Sequence, residues 1–469
     1  MFINGKKIER KEGFDLLNPY NNKLVAKVPI ASKEEIIKAA KYSFKTKKNL
    51  TQDLRIDILN KAAKKVKNKK EELAKLITSE SGLCLKDTLH EIDRVTNGLI
   101  YAAETVPKIE EDLTPKFIDG KNLNPTLKVI SEPLDLVLGI TPFNHPMNQV
   151  AHKVAPAIVA GTAILLKPSK KTPLSAIRLV EILYEAGLPE NMINVITTDD
   201  SKKFIDVALN LKLAQLVTIT AGTETGRYVA KKISDIGNII KYVPELGGNS
   251  SFTILEDADI DLAVDRGMNA FVNSGQRCTS IKRILLHNSI ADEFMEKFLK
   301  KVERIKYGDP MDPNTDMGTV IDENSAKIIQ ERVNKSIEEG AKLLYGNKRE
   351  GALYSPTLLD NVNSKSELVV KETFGPVAPI IRINDVHEAI RIINSVNFKL
   401  AAGVMTKSRE SAELIANSIH VGQFNWNNNP SYRTEKAPFG GFGDSGNGEK
   451  EGIILAAEGM RRIRTFYEH

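Results

Sequence analysis

Apolar residues recur at helical spacing through 31–46 and 54–80, and each segment predicts an amphipathic helix. Residues 116–137 read instead as extended hairpin material, polar at the turns and alternating toward "LKVISEPLDLVLG". The rhythm then changes. "DLVLGIT" (135–141) is an apolar strand, a helical stretch covers about 147–160, and "AILLKPS" (163–169) is a second strand. Helix 173–187 stops at Gly187 and Pro189, and the strands "INVIT" (193–197), "QLVTIT" (215–220) and "NIIKYVPEL" (238–246) follow with helices between them. Apolar strands alternating with amphipathic helices predict a parallel sheet covered on both faces. After "ELGGN" (245–249) a second alternation runs through 252–445. The pattern therefore predicts an α/β protein of two doubly wound α/β domains. Ligands bind such sheets beyond the carboxyl ends of the strands, and the cleft between the domains is the expected place for chemistry.

The chain has 469 residues, too many for one compact core, with 41% hydrophobic and 27% charged positions, as expected of a globular protein. Its two cysteines, Cys84 and Cys278, sit in unrelated contexts and make no disulfide framework, which suits a reducing, cytoplasmic setting. "MFINGKKIERKEG" has no apolar core of signal-peptide length, and "VAPAIVAGTAILL" (154–166) is too short for a bilayer, so no membrane association is expected. The net charge of +6 comes from 66 basic and 60 acidic residues that interleave, and "KAAKKVKNKK" (61–70) reads as the solvated face of a helix. That distribution points away from nucleic acid. The seven histidines are scattered with no H-x-x-x-H pair, so no metal site is expected.

Candidate chemistry lies in short strings. "AGTETG" (221–226) follows a strand and opens a helix, so the amides near Gly222 and Thr223 suit a phosphate. It is not the G-x-G-x-x-G fingerprint, and Ala221 is strained if its backbone needs a positive φ. Lys167, at a strand end in "LLKPS", is placed either for a nucleotide or for solvent. Glu245 in "PELGG" becomes a usable base if its turn is desolvated. Cys278 in "NSGQRCTSIKR" (273–283) has small neighbours and a cation, Arg277, that favours thiolate; the alternative is a small buried hydrophobe, which suits Cys84 better. Asn144 and His145 in "TPFNHP" offer rigid donors suited to an oxyanion, or else form a self-capped turn.

"TPFNHP", "KPS", "GTETG", "ELGGN", "SGQRC", "ETFGPV" (372–377) and "PFGGFGDSG" (438–446), in this order, resemble the aldehyde dehydrogenase superfamily along essentially the whole chain. The resemblance implies a cofactor-binding domain of 1–115 and 134–247, a catalytic domain of 248–446, and a β oligomerisation arm of 116–133 and 447–469, in a homodimer or homotetramer. It implies Cys278 as nucleophile, Asn144 and the Cys278 N–H as the oxyanion site, and Glu245 as the base that hydrolyses a thioester. It places Lys167, Ser169, Lys170, Gly222, Thr223, Leu246, Glu372 and Phe374 at the dinucleotide.

Within the superfamily, "TPFNHPMNQVAHK", "NSGQRCTSIKR" and "YRTE" (432–435) look most like phosphonoacetaldehyde dehydrogenase. His145, Arg277, Thr279 and Arg433 would then face a short anionic aldehyde, phosphonoacetaldehyde first, since guanidinium groups bind phosphonate oxygens bidentately. Lactaldehyde, glyceraldehyde 3-phosphate and succinate semialdehyde are the alternative substrates, and a catalytically inactive protein on the same fold is the alternative of another class. NAD is the expected cofactor. Lys170 stands where the family often has a glutamate, so NADP is the second expectation. The asparagine-rich "FNWNNNP" (424–430) either lines the substrate mouth or forms a self-bonded loop.

Overall fold

The computed structural model describes residues 1–46, 50–110, 113 and 127–467, together with the short strands Phe117–Ile118 and Lys121–Asn122. Two seven-stranded sheets organise it. In the first, Lys241–Glu245, Leu216–Thr220, Val137–Ile140, Ile164–Lys167 and Ile193–Val195 lie parallel in that order, and the edge is finished by the antiparallel Phe2–Ile3 and Lys6–Lys7. The central strands are buried on both faces because every side chain of "VLGI" and "ILLK" meets a helix layer. The chain moves outward from Val137–Ile140 in one direction and then returns to Leu216–Thr220 on its other side. That reversal opens a crevice outside the carboxyl ends of these two strands.

The second sheet runs Lys342–Tyr345, Thr357–Asp360, Val377–Ile383, Ile281–His287, Ser250–Ile254, Ala401–Met405 and Gln423–Trp426, parallel except for its first strand. Its chain enters at Ser250 directly after Glu245 ends the first sheet. Glu245 also bridges Gly446, where the chain leaves again.

Several elements differ from the sequence expectation. The helical pattern of 54–80 is two helices, Gln52–Asn68 and Lys70–Ser81, because Lys69 (φ −105°, ψ 20°) ends one and begins the next. A 25-residue helix, Leu85–Ile109, was not anticipated; it packs beside the first sheet through Ile92, Val95, Leu99, Ala102 and Val106. Leu127–Pro133 pairs antiparallel with Arg461–Tyr467 over its full length, whereas residues 119–120 and 123–126 of the anticipated hairpin lie outside the described residues. The segment 447–460 does not travel with that ribbon. Its helix Ile453–Gly459 places Ile453, Ala457 and Met460 in the core of the first sheet, because a helix with an apolar face gains more from burial than from standing in an arm. Among the described residues no helix is long and apolar enough to cross a membrane.

Candidate active site

The strand Val137–Ile140 delivers Thr141 and then Asn144 and His145 to the crevice, and His145 caps the helix Pro146–Ala160 with no side-chain bond of its own. Glu91, from the helix Leu85–Ile109, does the capping instead. Its Oε1 accepts from the amides of Met147 and Asn148 at 2.9 Å each. Asn144 is buried and its Nδ2 donates to the carbonyl of Gln276 at 2.8 Å, which leaves the second amide proton for another acceptor.

The loop carrying Cys278 is wound tightly before the strand Ile281–His287. Asn273 (φ 55°), Ser274 (φ 52°) and Gly275 (φ 69°) are three consecutive left-handed residues. Such a turn persists only when its surroundings hold it. Asp87 accepts from the Asn273 amide at 3.0 Å, the Asn273 side chain donates to the Asn144 carbonyl at 3.3 Å, and a Cβ on Gly275 would strike the Gly375 carbonyl. The turn ends with the Cys278 side chain at a cavity of about 340 Å³.

Burial raises the Cys278 thiol above its ordinary value, and Lys282 first, then Arg433, pull it back down. Sequence spacing had assigned that effect to Arg277. The structure gives the larger share to Lys282, four residues on, whose ammonium donates to the carbonyls of Arg277 (2.6 Å) and Cys278 (3.3 Å). It also lies 3.5 Å from Glu372 and 5.2 Å over the ring of Phe374. Lys282 drew no notice in the sequence because a lysine entering a strand reads as an ordinary surface residue. Phe374 in turn meets Phe143 edge to face at 5.9 Å.

Glu245 closes its strand fully buried, and neither carboxylate oxygen has a hydrogen-bond partner. Desolvation, with Glu451 nearby, lifts its carboxyl well above the usual range against the opposing pull of Lys153, Arg433 and Lys450. Glu451 is itself held by the buried Lys153 at 2.6 Å and by Thr218 at 2.8 Å. A carboxyl group raised by burial holds a proton more strongly once it has taken one, as a general base must.

At the carboxyl ends of the first sheet, Lys167 is buried and donates to Ser201 at 2.6 Å; burial, with Lys170 nearby, lowers its ammonium to about 8. Ser169 accepts from the Lys171 amide at 3.2 Å, and Lys170 is exposed, its Nζ 3.1 Å from the Asp199 carbonyl. Gly222 caps the helix Thr223–Asp235 with its Cβ direction open, while the Thr223 hydroxyl is already bonded to the Asp444 carbonyl at 3.0 Å. Ala221 is not among the residues of positive φ, so alanine there is unstrained. Leu246 packs on Gly226, which leaves no room for a side chain at 226. Glu372 accepts from the Gly248 amide at 2.9 Å. The hydroxyls of Thr141 and Thr220, at adjacent strand ends, are buried without partners. Such orphaned donors, an open helix N-terminus and a buried lysine fit a dinucleotide laid across the crevice.

The cavity at Cys278 is lined by Arg94, Arg266, Arg277 and Arg433, by His90 and His145, and by Thr279, Asn428 and Asn429, with no Asp or Glu in its wall. The sequence pointed to Arg277, Arg433, His145 and Thr279. Arg94, Arg266 and His90 come from helices whose approach to this loop no local pattern discloses. His145, expected to face the aldehyde, stands in the wall as a neutral ring. Burial, with Arg277 and Arg94 beside it, holds it well below its ordinary value, and its Nε2 accepts from Arg277 Nε at 3.2 Å. Behind the wall, Glu435 accepts from Arg94 (2.7 Å) and Arg433 (3.4 Å) and pairs with His152 (2.7 Å). Trp426 bonds the Thr406 carbonyl at 2.9 Å and stacks on Arg409, away from the cavity. The asparagine-rich loop thus divides: its tryptophan is structural and Asn428 and Asn429 face the cavity.

The remaining cysteine, Cys84, is buried, donates to Asp87 and to the Asp316 carbonyl, and is raised by burial. Among the described residues no group of His, Cys, Asp and Glu is arranged to hold a metal ion.

Comparison with known proteins finds relatives along essentially the whole chain. The lactaldehyde dehydrogenase of Methanococcus aeolicus is 37% identical over 473 residues, 99% of each chain. The 3-sulfolactaldehyde dehydrogenase of Priestia megaterium is 33% identical over 466 residues, 99% of this chain and 96% of the relative. The solved NADP-dependent glyceraldehyde-3-phosphate dehydrogenase from Bacillus halodurans, complexed with NADP, superposes with a TM-score of 0.93 at 34% identity, covering 100% of this chain and 98% of that one. The likeness to phosphonoacetaldehyde dehydrogenase is finer than any of these three carries. The aldehyde dehydrogenase family model matches residues 6–466, and the chain belongs to that family.

Proposed function

We propose that this enzyme oxidises a short aldehyde bearing a sulfonate, phosphonate or phosphate group to the carboxylic acid, with NAD or NADP as oxidant. The observation that carries the reading is the wall of the Cys278 cavity, with four arginines and no carboxylate. Guanidinium groups recognise tetrahedral oxyanions bidentately, and Glu435 behind the wall pairs with Arg94 and Arg433 but not with Arg266 or Arg277. Phosphonoacetaldehyde remains a member of this class. The named relatives support the class rather than that compound, since one acts on 3-sulfolactaldehyde and another on glyceraldehyde 3-phosphate. Lactaldehyde is the second reading, favoured by the Methanococcus relative.

A nicotinamide bound over the crevice supplies the hydride acceptor. Lys167 would hold the adenosine ribose, Glu372 the nicotinamide ribose, and the open amides at Gly222 the phosphates. Cys278 adds to the aldehyde carbon as thiolate, with the free Asn144 amide proton beside the forming oxyanion. Once the acyl group is a thioester, Glu245 takes a proton from water and directs it to the acyl carbon. Arg277 and Arg433 hold the anionic end so that the aldehyde carbon meets the sulfur. Arg461–Tyr467 exposes Ile463, Phe466 and Tyr467 along its length, which supports the ribbon with Leu127–Pro133 as a contact between copies.

Initial rates with sulfoacetaldehyde, phosphonoacetaldehyde, glyceraldehyde 3-phosphate, succinate semialdehyde, lactaldehyde and acetaldehyde test the reading. The anionic tetrahedral group should give the highest kcat/KM, and Arg277→Ala should erase that advantage. Preference for lactaldehyde by the wild type, with no change in Arg277→Ala, overturns it.

A further inference from the structure

Arg277 Nε is a donor and nothing else, so the atom that receives it, His145 Nε2, carries no proton. His145 is buried and its ring is held neutral. A neutral imidazole with a bare Nε2 carries its proton on Nδ1, and that proton needs an acceptor. Two groups stand near Nδ1. The Asn273 amide nitrogen, at 3.2 Å, is itself a donor, and its orientation is fixed because it also donates to the Asn144 carbonyl. The other is Glu91 Oε2, at 3.6 Å. Oε2 is a buried oxygen with no hydrogen-bond partner, just beyond bonding reach of Nδ1, while its twin Oε1 is taken up by the helix end at Met147 and Asn148.

We infer that Glu91 is a positioning residue for substrate selection: it fixes the His145 tautomer, which in turn orients the Arg277 guanidinium toward the cavity. One carboxylate thus serves two ends, one oxygen on a helix and the other on the specificity arginine. The inference rests on the proposed contact between Arg277 and an anionic headgroup.

The neutral range is where this link is sensitive. Burial places the Glu91 carboxyl at about 7, so below that pH it gains a proton and its charge no longer favours the proton on Nδ1. The charged groups that bear on Glu91 and His145 are His90 and Arg94 from its own helix, Glu80 from the helix Lys70–Ser81, Arg277 from the cysteine loop and Arg433 from across the cavity.

Kinetics of Glu91→Gln, His145→Phe, the double variant and Arg277→Ala, with sulfoacetaldehyde and acetaldehyde across pH 6 to 9, test the inference. Glu91→Gln keeps an oxygen for the helix end but presents Nδ1 with a donor. It should raise KM for sulfoacetaldehyde about 10-fold more than KM for acetaldehyde, the loss expected of one hydrogen bond to a charged group. His145→Phe leaves the helix end untouched and should give the same selective loss; it carries the test should Glu91→Gln fold poorly. The double variant should lose no more than either single one. In wild type the sulfoacetaldehyde-to-acetaldehyde KM ratio should rise as pH falls through about 7, and in Glu91→Gln it should be flat. Additive losses, or an unchanged ratio in Glu91→Gln and His145→Phe beside a raised one in Arg277→Ala, overturn the inference alone. An unchanged ratio in Arg277→Ala overturns the anionic-substrate reading beneath it.

Discussion

Gly440 abuts Glu245 so closely that a methyl group built on its Cα would lie 2.6 Å from Oε1. The same methyl group would lie 2.6 Å from the Glu449 carbonyl, and Gly440 has φ +153°, so neither the neighbours nor the backbone tolerates a side chain. Gly440→Ala should therefore move the base while leaving Cys278 in place. Stopped-flow traces should keep a burst of reduced cofactor while steady-state turnover falls about 100-fold, the usual loss of a general base.

The raised carboxyl of Glu245 fixes the direction of the pH profile. It is protonated and idle at low pH, and the active carboxylate accumulates as pH rises through its elevated value. Steady-state kcat should climb with pH, above the ordinary carboxylate range, with the loss of one proton, and Glu245→Gln should show a flat, low profile. The burst phase separates this from Cys278, whose raised thiol has the same sign but governs acylation.

Cys278 faces a cavity with cations beside it, and Cys84 is buried against Asp87. Iodoacetamide should label Cys278 and spare Cys84, as mass spectrometry of the digest will show. Lys282→Met removes the cation that most opposes the raised thiol pKa. Labelling at pH 8 should slow about 10-fold, equivalent to one pKa unit.

Lys170 is exposed three residues beyond Lys167, and its ammonium bonds the Asp199 carbonyl at 3.1 Å. A 2′-phosphate at the adenosine ribose would compete for that ammonium. Lys170→Glu should raise KM for NADP about 10-fold and leave KM for NAD nearly unchanged, since only the former carries the extra charge. Equal changes for both would assign Lys170 to solvent.

The parallel strands were legible because burial on both faces leaves a continuous apolar run, and Cys278, Glu245 and Asn144 because each stands in a distinctive string at a strand end. What escaped notice is instructive. The helix Leu85–Ile109 supplies Asp87, His90, Glu91 and Arg94 to the site, yet in sequence these are ordinary polar positions of an amphipathic helix. Their meaning comes from one helix face lying against two loops nearly 60 and 190 residues away, as the bonds from Glu91 to Met147 and from Asp87 to Asn273 show. The neutral state of His145 escaped the sequence for the same reason. Its charge depends on arginines that the fold, not the neighbouring sequence, brings beside it.

The bridge between Glu245 and Gly446 sets the two chain crossings side by side. Two adjacent crossings act as a door hinge, permitting rotation about the line they share and resisting twist or slide. Glu245 sits on the hinge pin. Any opening of the cleft would turn about that line, so the base would move least, and the bonds from Asp87 and Asn144 that hold the cysteine loop would resist the turn.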